Sequence, residues 1–427
     1  MSDIVIYGRG KTGQGLHTML KKMGKDAVFY DDCIGFDGDA DFTDKSLVLL
    51  SPGVKPNAVG MISAKKAGAH IVTELEFCFK HCLGKCVSVT GTNGKTTICE
   101  MVSHILRKAS VKCRLLGNGG IPLSSEVLDV NSDEIVVLES SSFQLNNVKE
   151  FSPYISLFSN IAYDHINYHD SFDNYVSAKI NNFIHQTEGY AIFNFDDENV
   201  VELSNLCQCK KLYYSVSDSK ANCYWDGSNV VVNIGGKKSI EHCCFLGDYA
   251  VHNLSNALGA ILITSLLGVS LDKSILYISD YRLLPHRMET VAILNGVTFV
   301  DDSKATNVHA TVSALKNYKQ PLALILGGSD KGECFEEIFA NLADNVKYVA
   351  ASGSTAEKIA DCGKAYGIEV AVFDDLKQAT EQSYNAVCRY DNGVVLMSNA
   401  CASFDRFSGY AERGDYFCQA VKGLCGD

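Results

Sequence analysis

The densest run of reactive side chains is Thr90-Gly91-Thr92-Asn93-Gly94-Lys95-Thr96-Thr97. It follows the strand-like stretch Cys86-Val87-Ser88-Val89 and leads into a helix-like pattern from Ile98 to Lys108. A glycine-rich turn between strand and helix points backbone N–H groups at phosphate oxygens. A lysine after the second glycine can reach β- and γ-phosphates, and the hydroxyl after it can hold Mg²⁺. A strict P-loop would have glycine where this chain has Val89, so the loop is a variant. Gly91, Thr92, Asn93, Gly94, Lys95, Thr96 and Thr97 are read as ligands of ATP phosphates.

Other polar residues stand where further strands or helices would deliver them. Glu139 ends the run Ile135 to Leu138 and is either a Mg²⁺ ligand or a helix N-terminal acid. Asp164-His165 comes after the apolar segment Ile155 to Phe158; it is placed at a strand end as a candidate metal or phosphate site, against the structural role of most lone histidines. Lys179 lies on a helical pattern and, by its type alone, reads as a solvated face. Asn253 and Asn256 share a helix face and can contact a nucleotide or cap the helix. Arg287, in Leu284-Pro285-His286-Arg287, is of the type that clamps phosphate. Asp301-Asp302-Ser303-Lys304-Ala305-Thr306-Asn307 packs acid, base and hydroxyl into one turn, for chemistry or for capping.

A second glycine motif, Gly8-Arg9-Gly10-Lys11-Thr12-Gly13, follows Ile4 to Tyr7. This is G-x-G-x-x-G in the strand-to-helix context that a dinucleotide-type turn needs. Asp31 and Asp32, about twenty residues on, can take a ribose hydroxyl.

These motifs need parallel strands to carry them. Ile4 to Tyr7, Cys86 to Val89 and Leu322 to Leu326 are each short, apolar and followed by glycine. Continuous apolar strands, glycine turns and helical stretches predict an α/β chain of three domains. Borders near residues 80 and 284 divide its 427 residues. The composition, 46% hydrophobic and 21% charged, is that of a globular protein. A net charge of −12 speaks against general nucleic-acid or anionic-membrane binding. The longest apolar runs are far short of a membrane span, and no secretory signal is visible, so the expected compartment is the cytoplasm. The 17 cysteines read there as reduced, small hydrophobes. Cys78, Cys82 and Cys86 would share one helix face if a helix ran that far.

Taken in order, GTNGKTT, LESSSFQL, N-x-x-x-DH, Y-x-x-x-K, HN-x-x-N, LPHR and DDSKATN resemble the Mur ligases of peptidoglycan synthesis. The likeness spans nearly the whole chain. It implies a Rossmann-like UDP-binding domain (1–80), a central P-loop ATPase-type parallel-sheet domain (81–284) and a C-terminal Rossmann-like amino-acid domain (285–427). The opening GRGKTG, Asn93, DDSKATN and the Asn399–Phe407 stretch are similar to the D-glutamate-adding branch. That branch joins D-glutamate to UDP-N-acetylmuramoyl-L-alanine through an acyl phosphate, at the expense of ATP.

The resemblance also implies roles. Lys95, Glu139, His165, Lys179 and Lys304 would be catalytic, and Thr96, Glu139, His165 and a carbamylated Lys179 would hold two Mg²⁺ ions. A carbamate replaces an ammonium that repels Mg²⁺ with an anionic oxygen ligand. Asn253, Asn256, Arg287 and Asp302 would join the phosphate loop at ATP. Lys11, Thr12, Asp31, Ser51, Asn118 and His165 would contact the UDP-sugar. Thr306, Lys331, Ser403 and Tyr410 would form the D-glutamate pocket, and His286 would stand near the reaction centre. The expected partners are these small molecules alone, with the chain a monomer.

The chain departs from the family at three places. Asn167 and Tyr168 stand where an acid and an arginine often follow DH. Cys33 stands where some members have arginine near the uracil, and Tyr410 where phenylalanine is common. Three other readings remain at this level. A sibling ligase would take another amino acid. A nucleotide-binding regulator would have lost ligation. A nicotinamide oxidoreductase would leave GTNGKTT unexplained.

Overall fold

The computed structural model describes residues 3–37, 40–282 and 284–425. They form three sheets. The first holds β1 (Ile4–Tyr7), β2 (Val28–Asp31), β3 (Gly35–Phe36), β4 (Leu47–Leu50) and β5 (His70–Thr73), in the order β3-β2-β1-β4-β5. The second holds β6 (Lys85–Thr90), β7 (Cys113–Gly117), β8 (Ile135–Glu139), β9 (Ile155–Phe158), β10 (Tyr190–Asn194), β11 (Lys210–Ser215), β12 (Cys223–Trp225), β13 (Asn229–Ile234) and β14 (Lys237–His242). Its order is β14-β13-β12-β11-β10-β9-β6-β8-β7, parallel from β7 to β12 and antiparallel at the β13–β14 edge. The third holds β15 (Glu289–Leu294), β16 (Val297–Asp301), β17 (Leu322–Leu326), β18 (Val346–Ser352), β19 (Ala371–Phe373) and β20 (Val394–Met397), in the order β15-β16-β20-β17-β18-β19.

β1, β6 and β17 are apolar on both faces because helices cover both sides of a parallel sheet, but β17 does not open the third sheet, which begins in the chain with β15, an antiparallel edge strand. Val87 and Val89 of β6, and every residue of β17 from Leu322 to Leu326, are buried.

By contact density the chain forms two compact units, residues 1–161 with 171–281, and residues 162–170 with 282–427. The first and second sheets thus share a unit. The reason is a common core: Ile6, Leu16, Leu49 and Leu75 pack in one cluster with Cys86, Leu116, Val136 and Leu138. Burial of that many apolar side chains joins what the sequence pattern reads as separate starts.

The three cysteines at spacing four do not share a helix face. The helix Glu74–Phe79 carries Cys78 but stops before Cys82, which lies in a turn, and Cys86 is on β6. The turn through Gly84 ends the helical spacing, and Cys78 and Cys86 are core thiols that burial pushes well above the usual range. Among the described residues, no helix is long and apolar enough to cross a membrane.

Candidate functional site

The loop after β6 is built by backbone geometry that only glycine supplies cheaply. Gly91 has φ +145°, and a Cβ there would fall 2.0 Å from Ser159 Oγ. Gly94 has φ +86° and is the N-cap of the helix Lys95–Lys108; a Cβ on it would meet Asn256 Oδ1 at 2.4 Å. These are left-handed or more extreme conformations that a side chain would strain.

The loop is braced from β9. Asn160 Oδ1 accepts from Asn93 N at 2.8 Å, and Asn160 Nδ2 donates to Asn93 O at 3.0 Å. Ser159 Oγ donates to the same carbonyl at 2.7 Å. Thr92 Oγ1 meets the Tyr175 hydroxyl at 2.9 Å. Ser159 was missed by the sequence reading, because its contribution needs β9 beside β6, which the sequence does not state.

Two lysines converge on this loop. Lys95 Nζ donates to Gly91 O and Thr92 O, each at 2.8 Å. Lys179, on the helix Phe172–Ile180, is 1% exposed, and its Nζ donates to Gly91 O at 2.6 Å. The generic reading of Lys179 as a solvated face therefore fails. A buried ammonium carries a large desolvation cost unless neighbours or modification offset it.

Glu139 closes β8, where Val89 of β6 is its register partner. It is 4% exposed, and its Oε1 accepts from Asn118 Nδ2 at 2.9 Å. Asn118, read as a UDP-sugar contact, is thus placed on the carboxylate read as a metal ligand. Thr96 Oγ1 and Glu139 are hard oxygen donors, the set that suits Mg²⁺. Asn253 and Asn256 lie on the helix Val251–Leu266, 4% and 7% exposed, and Asn256 packs at Gly94.

In the same unit, Gly10 caps the helix Lys11–Lys22, which puts Lys11 and Thr12 in its first turn. Ser51 follows β4, is 8% exposed, and its Oγ is buried without a hydrogen-bond partner. That hydroxyl lies against Gly8, where a Cβ would be 2.9 Å away, so the glycine turn borders an unspent polar group. Asp31 ends β2 and its carboxylate accepts from Cys33 N at 3.0 Å. Asp32 is committed to the fold, taking the Tyr7 hydroxyl at 2.6 Å and Gly60 N at 2.9 Å.

The second unit holds the remaining residues. Asp164 and His165 are not at a strand end: β9 stops at Phe158, and His165 has φ +56° at the start of the short helix Ile166–His169. Asp164 Oδ2 accepts from Asn307 Nδ2 at 3.2 Å, and Lys331 Nζ is 4.0 Å from Asp164 Oδ1. Lys331 Nζ also donates to Thr306 O at 3.4 Å. Lys304 Nζ sits 3.9 Å from the Tyr410 ring centroid, a cation–π contact. Thr306 with Lys331, and Lys304 with Tyr410, are therefore brought together. The residues assigned to ATP divide between units, with Arg287 and Asp302 in this one.

His286, buried and at φ +64°, is gripped by Asp301, whose Oδ2 is 2.7 Å from His286 Nδ1. This fixes the backbone just before Arg287. Ser403 is 1% exposed, and its carbonyl accepts from Phe407 N at 2.9 Å. One residue missed entirely by the sequence reading is Arg413, on the helix Tyr410–Cys425. Its buried guanidinium reaches Ser303 Oγ, Ser303 O, Gly327 O, Cys401 O and Ala402 O.

Burial pushes the Asp302 carboxyl up to about 7, against the opposing pull of the Ser398 hydroxyl, Met288 N and the Arg287 charge. The folded protein thus holds this proton more tightly than the unfolded chain. Stability from this group is full below pH 4 and is lost as pH rises towards 7. Asp302→Asn removes that slope. Urea unfolding should find the variant more stable than the parent by roughly 2–4 kcal/mol at pH 8, and little changed at pH 4. Equal pH dependence in both proteins would refute the assignment.

Two family models match the chain: Mur ligase middle domain over residues 89–264, and Mur ligase, glutamate ligase domain over residues 286–400. The UDP-N-acetylmuramoylalanine--D-glutamate ligase of Clostridioides difficile (strain 630) is 33% identical over 388 residues, covering 90% of this chain and 86% of the other. The ligase of the same name from Caldicellulosiruptor saccharolyticus is 34% identical over 452 residues, covering 99% of this chain and 98% of its own. Among solved structures, a UDP-N-acetylmuramate-alanine ligase from Thermotoga maritima superposes with TM-score 0.61 at 19% identity, covering 99% of each chain.

Proposed function

The chain belongs to the Mur ligase family, and from that premise we propose how its residues divide the work of an ATP-dependent, D-glutamate-adding ligase. The reaction extends UDP-N-acetylmuramoyl-L-alanine by one D-glutamate in peptidoglycan precursor synthesis. The L-alanine carboxylate attacks the γ-phosphate of ATP and ADP leaves, giving an acyl phosphate. The D-glutamate amine then attacks the activated carbonyl, and phosphate departs as the amide forms.

The observation that carries this reading is the convergence of Lys95 and Lys179 on the Gly91 carbonyl, at the end of β6 beside Glu139. Loop N–H groups and Lys95 take the phosphates; Asn253 and Asn256 take the rest of the nucleotide together with Arg287 and Asp302. Two Mg²⁺ ions, when bound, neutralise the charge that spreads over the transferring phosphoryl group. Thr96, Glu139, His165 and Lys179 as its carbamate are the ligands we assign to them. Lys11, Thr12, Asp31, Ser51, Asn118 and His165 are assigned to the UDP-sugar, and the orphaned Ser51 hydroxyl supports that placement. Thr306, Lys331, Ser403 and Tyr410 are assigned to D-glutamate, with Lys304 orienting the acyl group. Residues 1–80, 81–284 and 285–427 serve as UDP-sugar, ATP and amino-acid domains of a cytoplasmic monomer.

The test is phosphate release from ATP and Mg²⁺ with UDP-N-acetylmuramoyl-L-alanine across a panel of D- and L-amino acids. Release should require both the UDP-sugar and D-glutamate. Lys331→Ala should raise the KM for D-glutamate about tenfold or more while leaving that for ATP within about twofold, because it removes one charge-assisted contact to a carboxylate. Release driven by another amino acid would move the chain to a sibling activity.

A further inference from the structure

Most thiols whose surroundings are described are unremarkable. Cys78, Cys86, Cys99, Cys223 and Cys401 are core residues whose thiols burial pushes upward. Cys207 and Cys209 differ. They flank Gln208 in the turn that enters β11, and both are half-buried. Their Sγ atoms are 3.5 Å apart. Residues at i and i+2 of an extended segment lie on the same face, so the backbone at Cys207, which is extended (φ −72°, ψ 134°), lets the two thiols meet across Gln208. The turn is held: Cys207 N donates to Ser204 O at 3.1 Å, and Ser204 Oγ meets the Tyr213 hydroxyl at 2.8 Å. Both cysteines pack on the cluster of Phe158, Tyr175, Phe183 and Phe193, which fixes them from the inner side.

We propose that Cys207 and Cys209 form a reactive dithiol that low-molecular-weight disulfides oxidise to an intramolecular disulfide. The Cys207 thiolate attacks one sulfur of the incoming disulfide; that S–S bond breaks, and one small thiolate leaves and takes a proton from water. The Cys209 thiol then gives its proton to solvent and attacks the Cys207 sulfur of the mixed disulfide, expelling the second small thiol. The protein loses two electrons and two protons, and the small disulfide gains them. Cys207 is the attacking group because the Cys209 thiol hydrogen-bonds to it and Lys211 lies near, which together hold its titration below the usual thiol range; the same interaction raises Cys209. The half-buried seat leaves a path for a small disulfide and brings the resolving sulfur within bond-forming reach. The chemistry of this pair does not depend on the ligase assignment.

The test uses the full-length folded protein in a buffer of oxidised and reduced glutathione, quenched by alkylation and mapped by peptide mass. The expected result is a segment containing Cys207 and Cys209 that has lost two hydrogens, with no glutathione retained. The exposed single cysteines Cys33, Cys334 and Cys388 should instead carry glutathione adducts. In Cys209→Ser the intermediate cannot resolve, and the adduct should accumulate on Cys207. Two alkylated thiols at 207 and 209 after the exposed cysteines have reacted would overturn the proposal. So would a stable adduct at either position in the unmutated protein. The mapping of that protein decides the matter even if the variant folds poorly.

Discussion

Replacing Arg413 with methionine lowers the unfolding free energy of the C-terminal unit by about 3–5 kcal/mol, the range for breaking a buried charged network. Arg413 is 2% exposed. It gives its donors to the turns after β16 (Ser303), β17 (Gly327) and β20 (Cys401 and Ala402), at 2.7–3.3 Å. Methionine fills most of the volume and leaves four carbonyls and a hydroxyl without this partner in a dry place. Each such loss carries its own desolvation penalty. Lysine does not rescue it, since one ammonium cannot span a fork of acceptors on three turns. Burial lowers the guanidinium to about 10, still a cation at neutral pH.

Hydrogen exchange is the suitable probe, because the single tryptophan, Trp225, lies in the other unit and reports on that unit's sheet. Exchange in β20 should accelerate in Arg413→Met while β6 is unchanged. Wild-type protection of β20 would refute the network. The same variant should bind D-glutamate more weakly. Arg413 holds Ser303 next to Lys304, and Ala402 next to Ser403.

Lys179→Ala costs the ligase activity about 10²–10³-fold, the loss expected when one charge-stabilising group is removed from a closed site. Lys179 Nζ is placed on Gly91 O at 2.6 Å and 3.4 Å from Thr90 Oγ1, under the face of Tyr175 at 5.0 Å. As an ammonium it would oppose a divalent cation; as a carbamate it supplies an anionic oxygen. Alanine leaves a cavity at the loop that a short carboxylic acid can enter. Formate or acetate should restore part of the activity to Lys179→Ala and none to Lys179→Met, which fills the space. Failure of any small carboxylate to rescue, in a variant shown to be folded, would sink the carbamate assignment. An ADP affinity within about twofold of wild type would separate this role from simple disruption of the loop.

The glycine loop between β6 and its helix was legible because its signal is local. Strand, glycines, lysine, hydroxyl and helix follow one another, and the φ values at Gly91 and Gly94 show why only that order works. The same holds for DDSKATN, where Asp301 accepts from Ser303 N at 2.8 Å and Asn307 caps the next helix within its own turn. The spacing of Cys78, Cys82 and Cys86 misled, because a periodicity of four describes a face only while a helix continues.

What the amino-acid sequence determined by itself was therefore whatever short-range geometry encodes: the apolar strands β1, β6 and β17, both glycine turns and the order of the polar motifs. Tertiary structure alone decided which distant groups share an environment. It buried Lys179 against a loop 88 positions earlier in the chain. It fused the first two sheets through one core, and turned the helix Tyr410–Cys425 so that Arg413 closes three turns of the sheet order β16-β20-β17. A lysine or arginine on a helix looks the same in sequence whether water or protein surrounds it. Its desolvation, and hence its chemistry, is set by strands whose order no local pattern records.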